Sequence, residues 1–538
     1  MPMNRREWIQ GGLLAASLGR AALAVGAPKS TVVTLDAQRV LGPAEAIGDL
    51  IGSQYEPYTF GFRKPDPWGI EAWREVGFNI GDLALFTYEG SNPYTVSGKI
   101  VGIHVARGAD GKLQLDFRDF DSNIAFIRDE LRVKKIDFTV WGTPKPLADP
   151  AAGEFFFFHA PASYSEWSDI VGRAVRHIVQ DLRLPGSTYK PWTEPDSGYY
   201  YRGRAQPGQI VTREVDPEKL RALLTKQPHI LNDYVEKYVN DWRTIKAADP
   251  TARVSGTFNV WSKPLKGEAF SLDDFLTRID QHNRDNPSAP VTVDEIAYQD
   301  YNWNGNGLAE GVIGANELVK KHGLPANIPL VLTGWNKDMN KEPNLQRRAA
   351  YIVANIIGEL VPEGRARTLS RAYIWPFDYD YYGTGIGPVT MPYAAVVYSG
   401  DDGSDGPLSI PPITGYHKRP MHAGLKLLAQ MKPGQLISAS SANPGLKVLA
   451  TIQPDGHVML VIANHTDEEQ RVTPVLNGTA LASRTAQLTV QRVDAAHSAD
   501  GKGLEPGDRR RVHIDAKGAL PALDLPPWSV TGVTVQSV

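Results

Sequence analysis

The 538-residue chain contains no cysteine, which excludes disulfides, thiolate metal sites, iron–sulfur clusters and a cysteine nucleophile. Any metal would have to be held by His, Asp or Glu. The twelve histidines include no His-Glu-x-x-His helix and no tight cluster, so no metal is expected. A net charge of −3 gives no electrostatic basis for nucleic-acid or anionic-membrane partners. The Arg509-Arg510-Arg511 run lies among turn residues and reads as a solvated loop. No Gly-rich dinucleotide turn stands at a strand–helix junction, and no cofactor is expected. Apolar runs are all shorter than the ~20 residues of a bilayer span, so no stable membrane anchor is expected.

What is present begins with an export-type leader. Asn4-Arg5-Arg6-Glu7-Trp8 carries paired arginines before Gly11 to Leu18, a short weakly apolar run, and Ala22-Leu23-Ala24 supplies a small-residue cleavage site. Residues 1–27 therefore read as a twin-arginine-like signal peptide, placing the mature protein in the periplasm or outside a bacterial cell.

Helical and strand patterns alternate after it. Helical spacing covers Ile70 to Val76, Phe120 to Val133, Trp167 to Leu182, Asp233 to Ala247, Leu272 to Gln281, Leu308 to His322 and Leu345 to Leu360. Strand patterns cover Lys135 to Trp141, Arg253 to Asn259, Val291 to Tyr298, Leu330 to Thr333 and Arg371 to Phe377. Such alternation predicts an α/β fold with a parallel sheet, and about eight units favour a (β/α)8 TIM barrel over residues 28–397. Thr31 to Leu35 is a further candidate strand within that span. Residues 398–414 are rich in Gly, Asp, Ser and Pro, a linker composition. Short strands then follow, among them Val448 to Ile452, Val458 to Ile462, Ala486 to Val490 and Val530 to Val535, with turns at Pro454-Asp455-Gly456 and Asn477-Gly478. Residues 398–538 are expected to form a linker and a C-terminal β-sandwich domain.

Two stretches at inferred strand ends carry the chemistry. Trp192-Thr193-Glu194-Pro195-Asp196 presents a carboxylate between an aromatic residue and a proline. Leu332-Thr333-Gly334-Trp335-Asn336 has a similar build. With Trp141 to Ala148, Val293 to Tyr301 and His417 to Leu428, they resemble, in order and spacing, glycoside hydrolase family 39, the group of β-xylosidases and α-L-iduronidases. The resemblance implies a retaining-type barrel, a saccharide substrate of plant or microbial origin, and an acid/base role for Glu194. Three positions depart from the family pattern. Gly334 stands where the nucleophilic Glu is expected, Thr193 replaces an Asn that contacts the sugar, and Gln299 replaces a His two residues before Tyr301. Glycine offers nothing that could form a glycosyl–enzyme bond.

A substitute carboxylate could activate water instead. Asp338, in the same loop as Gly334, is the first candidate; Asp300, Asp378 and Asp380 are others. Trp141, Trp192, Thr193, Tyr199, Gln299, Trp335, Asn336 and Trp375 are expected to contact the sugar, since aromatic faces stack on pyranose C–H faces. The leading expectation is a divergent glycoside hydrolase. Its rivals are a carbohydrate-binding pseudoenzyme and a polysaccharide lyase using a Tyr base such as Tyr301.

Overall fold

The computed structural model describes residues 29–54, 67–89, 99–100, 102–197, 201–205, 229–258, 269–300, 308–336, 344–361, 369–374, 389–390, 397–398, 407–408, 417–479, 481 and 484–538. The leader 1–27 and most of the linker stretch 398–414 lie outside the described residues.

Beyond the first strand, β1 (Lys29–Pro43), eight strands form one sheet: β2 (Gly52–Gln54), β3 (Ile80–Ala84), β4 (Lys135–Thr139), β5 (Thr188–Lys190), β6 (Arg253–Val254), β7 (Ile296–Asp300), β8 (Leu330–Trp335) and β9 (Arg371–Ile374). The order is β6-β5-β4-β3-β2-β9-β8-β7, with every adjacent pair parallel. The sheet curls until its two edges approach. Beyond β6, Phe258 makes a parallel bridge to Tyr298 of β7.

Between the strands run α1 (Pro67–Val76), α2 (Arg118–Ala125, continued by a π turn at Phe126–Glu130), α3 (Tyr164–Gln180), α4 (His229–Ala248), α5 (Leu272–Asp285), α6 (Leu308–Lys321) and α7 (Leu345–Leu360). Their starts follow from local chemistry. The Ser163 side chain accepts from the Glu166 N–H at the start of α3. Ser271 and Asp274 form a reciprocal capping box on α5, and Asn344 accepts from Gln346 and Arg347 on α7. Such caps satisfy amide groups that the first helical turn leaves unpaired. The α3 face carrying Trp167, Ile170, Val171, Ala174, Val175 and Ile178 is buried, at the spacing of one helical stripe.

Side chains alternate between the two faces of the curled sheet. Phe138, Tyr189, Val254, Ile296, Tyr298, Leu330, Leu332, Ala372 and Ile374 join the main core with the helices. Ile80, Ala297, Val331 and Tyr373 form a separate cluster, which identifies the concave face. Asp82, Glu295, Gln299 and Arg371 stand two positions along their strands from these; Asp137 is in register with Asp82 and Lys190 with Thr139, and with Thr188 all are polar and buried.

Eight further strands follow helix α8 (Pro420–Gln430): β10 (Gln435–Ser441), β11 (Leu446–Ile452), β12 (Val458–Asn464), β13 (Gln470–Asn477), β14 (Thr485–Val493), β15 (Asp508–His513), β16 (Leu523–Leu525) and β17 (Ser529–Ser537). With β1 they make a nine-stranded sheet, ordered β15-β14-β17-β12-β11-β10-β1-β13-β16. The first strand therefore belongs with the C-terminal sheet and not with the 28–397 unit in which the sequence placed it. Val33 and Leu35 point into that sheet's own core, and β1 pairs antiparallel with β10 and parallel with β13. The arginine run is solvated as expected, but it forms edge strand β15 rather than a loop. A row of charged side chains suits an edge that must not recruit another strand.

Strand β12 is buried along its whole length. Val458, Leu460 and Ile462 face the C-terminal core, whereas Met459, Val461 and Ala463 face the main core. Helix α7 packs on β11, β12 and β17 and against α8. The two sheets thus share a continuous apolar seam, reinforced where Lys418 and Lys426 meet Glu75 of α1 at 2.7 and 2.8 Å.

Candidate active site

The carboxylate-bearing turn follows β5 directly. Pro191 ends the strand, and the Trp192 N–H turns back to the Lys190 carbonyl at 2.7 Å. Trp192 has φ 101° and Glu194 has φ 46°, values that side-chain-bearing residues adopt only when their surroundings enforce them. The Trp192 ring is fully buried. Tyr201 meets it edge-on at 5.0 Å, and the Lys237 ammonium lies 5.1 Å from its centroid. Lys237 also sits 4.8 Å from the Trp167 ring and pairs with Asp241 at 2.5 Å, whose other oxygen accepts from Trp167 Nε1 at 2.6 Å. Burial pushes the Lys237 ammonium down and the Asp241 carboxyl up.

Beyond the turn, Pro195–Ser197 forms a 3-10 segment. Glu194 and Thr193 are half-buried. The Glu194 N–H donates to the Thr257 carbonyl at 2.9 Å, which ties the turn to the chain following β6. The Gln299 N–H donates to the adjacent Phe258 carbonyl at 2.7 Å, and Gln299 is in register with Gly334 of β8. Backbone contacts thus link the Glu194 turn to Gly334 by way of Thr257, Phe258 and Gln299. The β7–β8 register shifts between Tyr298 and Gln299, and the β8–β9 register shifts between Leu332 and Trp335. Irregularities of this kind re-aim side chains at the rims of curled sheets.

The other expected sugar contacts are distributed unevenly. Trp141 is buried and meets Phe157 at 5.2 Å. Trp335 belongs to the main core and Asn336 is fully buried. Trp192 likewise presents no open face, because its ring is enclosed by Tyr201 and Lys237. Asp300 is turned toward helix α6: its Oδ2 lies 3.2 Å from where a Cβ on Gly311 would stand, beside the Tyr298 ring. Asp338, Tyr301, Tyr199 and Trp375 lie outside the described residues, as do Asp378 and Asp380. Among the described residues, no group of three His, Asp or Glu is placed to hold a metal.

Sequence reading missed the polar lining of the concave face. Lys190 Nζ contacts Asp82 Oδ2 at 2.5 Å, and Thr139 Oγ1 donates to Asp82 Oδ1 at 2.9 Å. Burial pushes the Asp82 carboxyl up, with the Asp137 charge adding to it and Lys190 opposing. Deeper in the sheet, Arg371 bridges Glu295 at 2.8 Å and Asp137 at 3.1 Å, and Tyr373 donates to Asp137. Burial works against the Arg371 charge, but Asp137 and Glu295 outweigh it. Ser255 and Thr257 complete the lining next to Glu194. The alternation Arg253, Ser255, Thr257 against Val254, Phe258 was visible in the sequence, although Gly256 interrupts it.

No family model and no curated protein matches the chain. Solved structures do. A GH39 enzyme from Xanthomonas axonopodis pv. citri superposes with TM-score 0.64 at 17% identity, over 97% of this chain and 100% of the other. A GH39 β-xylosidase from Caulobacter crescentus gives TM-score 0.58 at 17% identity, over 94% and 99%. A bacterial orthologue of human α-L-iduronidase gives 0.62 at 13%, over 95% and 84%. At these identities the likeness is one of fold, and the fold is that of glycoside hydrolase family 39 enzymes.

Proposed function

We propose that the chain is a divergent, exported glycoside hydrolase whose curled sheet is a closed (β/α)8 barrel, followed by a β-sandwich, with Glu194 as acid/base. The observation that carries this reading is the chain of backbone contacts from the Glu194 turn through Thr257, Phe258 and Gln299 to Gly334. The half-buried Glu194, at positive φ, follows the end of β5 and is tied through its N–H to Thr257, which supports this reading. Chemistry in barrels of this kind occurs at such strand ends. The substrate is a saccharide of plant or microbial origin. Glu194 protonates the glycosidic oxygen as its bond to the anomeric carbon breaks, while water that gives its proton to a substitute carboxylate such as Asp338 bonds to that carbon. The presence of glycine at 334 favours one rival, a protein that binds saccharide without cleaving it.

Incubation with a polysaccharide and aryl-glycoside panel separates these readings. Released reducing ends that disappear in Glu194→Gln support the hydrolase. Saccharide binding without release supports the binding protein, and absorbance from unsaturated uronates would mark elimination instead.

A further inference from the structure

Lys190 is the last residue of β5, and its side chain reaches Asp82 on the concave face. Alternation would send Trp192, two residues on, to that same face. Its ring lies instead in the main core, fully buried, and the backbone reversal that puts it there is recorded in its φ of 101°. Two residues later Glu194 holds φ 46°. The reversal of Trp192 therefore begins the Glu194 turn, and whatever fixes the ring fixes the start of that turn.

A buried charge holds the ring. The Lys237 ammonium lies 5.1 Å from the Trp192 centroid and 4.8 Å from that of Trp167, within cation–π range of both. Asp241, one helical turn on in α4, pairs with it at 2.5 Å through one oxygen and takes the Trp167 Nε1–H at 2.6 Å through the other. Both charged side chains are wholly buried. Well-packed apolar residues of similar volume would hold this place as firmly, since a buried ion pair seldom gains stability over them. Stability alone does not call for the pair. Repacked apolar cores lose uniqueness before they lose stability, whereas an ammonium tied to a carboxylate and set against two ring faces fixes where each ring stands.

Resting on the reading of Glu194 as the acid, we propose that Lys237 and Asp241 are positioning residues for Glu194: the pair pins the Trp192 ring in its reversed conformation, and the pinned turn holds the Glu194 carboxyl where it protonates the leaving oxygen. The pair acts through Trp192 and not on the substrate. The bond from the Glu194 N–H to the Thr257 carbonyl at 2.9 Å ties the other end of the turn, so loss of the pair frees one end and leaves the second fastened. The carboxyl then samples several placements, and a misplacement of about 1 Å costs about 10²-fold in rate. The loss falls on the protonation step, so it is greatest for leaving groups that cannot depart unprotonated.

The full chain is compared as wild type, Lys237→Met/Asp241→Leu and Glu194→Gln. The double variant removes charge and counter-charge together, so neither is stranded. Amide hydrogen exchange is read at the Glu194 N–H, and kcat and KM are read on the phenyl and 2,4-dinitrophenyl forms of each sugar in the aryl-glycoside panel. In the double variant the Glu194 amide should exchange at least about 10-fold faster, with amides inside α4 as protected as in wild type. Its kcat on the phenyl glycoside should fall about 10²-fold, while kcat on the dinitrophenyl glycoside and both KM values stay within about twofold. Unchanged exchange and an unchanged dependence on leaving group, beside a slowed Glu194→Gln, overturn the proposal and leave the acid reading standing. An equal loss on both leaving groups marks general damage and overturns it as well. A Glu194→Gln protein as fast as wild type on the phenyl glycoside, or no hydrolysis by wild type, overturns the acid reading itself, whatever the exchange shows. Should the double variant not fold, Trp192→Phe and Trp192→Leu decide. The first keeps a ring face for the ammonium and should stay nearer to wild type on the phenyl glycoside; equal profiles overturn the proposal.

Discussion

The backbone N–H of Glu194 donates to the carbonyl of Thr257 at 2.9 Å, and this bond fastens a turn that would otherwise relax. Both Trp192 and Glu194 hold positive φ, a conformation costing roughly 1–3 kcal/mol for each such residue. The burial of Trp192 against Tyr201 and Lys237 holds the turn from behind, and the Thr257 carbonyl holds it from the front. The backbone of the turn is thus held by the packing of Trp192 as well as by its bond to Thr257.

Lys237 and Asp241 are both fully buried. Removing one partner strands the other in a low-dielectric site, whereas replacing both removes the penalty together with the attraction. Lys237→Met is expected to lose about 3–5 kcal/mol of unfolding free energy. The double variant Lys237→Met/Asp241→Leu is expected to recover most of that loss. Urea unfolding of the three proteins at neutral pH measures both values, and a double variant no more stable than the single would contradict the coupling.

Two buried histidines should make stability depend on pH. Burial pushes His159 and His422 down to about 4; the Arg202 charge adds to this at His159, while the Ala72 carbonyl opposes it at His422. The unfolded chain takes up these protons near pH 6.5, and the folded protein refuses them until about pH 4. Each histidine therefore contributes stability that is complete above pH 6.5 and is lost as pH falls from there to 4, about 3 kcal/mol per group. Unfolding free energies of wild type and His422→Gln across this range should differ in slope, with the variant flatter. Parallel curves would remove His422 as a source of the dependence.

Gly142 has φ 80°, and a Cβ there would stand 1.8 Å from the Phe157 ring. Both the backbone and the packing require glycine. Gly142→Ala should cost about 2–4 kcal/mol and displace Phe157 from Trp141. Adding Phe157→Ala should relieve the clash but not the backbone strain, so the double variant stays below Phe157→Ala alone. Thermal unfolding of the set distinguishes the two contributions.

Much of the fold was legible because local periodicity encodes it. The stripe from Trp167 to Ile178 declared α3, and the run Leu330 to Leu332 declared a strand buried on both faces. The placement of β1 was not legible, since pairing Val33 with Ser441 joins distant parts of the chain by a register that no local pattern specifies. The polar lining was hidden for a different reason. Thr188-Tyr189-Lys190 alternates as a solvent-facing strand would, and only the curl of the sheet shows that Lys190 faces a buried Asp82. At the site, the Glu194 turn stood out by its flanking Trp and Pro. Thr257 did not, because its contribution is a backbone carbonyl, which sequence does not mark. Trp192 looked like a sugar platform, but an aromatic beside a catalytic-looking carboxylate can equally be the wedge that supports it from the core.

The acid role of Glu194 is tested most directly by comparing kcat/KM of wild type and Glu194→Gln on aryl glycosides whose leaving groups span a range of acidity. A glutamine cannot protonate the departing oxygen. The expected loss is about 10²–10⁴-fold for the poorest leaving groups, shrinking as the leaving group becomes able to depart unprotonated. A Glu194→Gln protein that hydrolyses every member of the series at the wild-type rate would contradict the assignment.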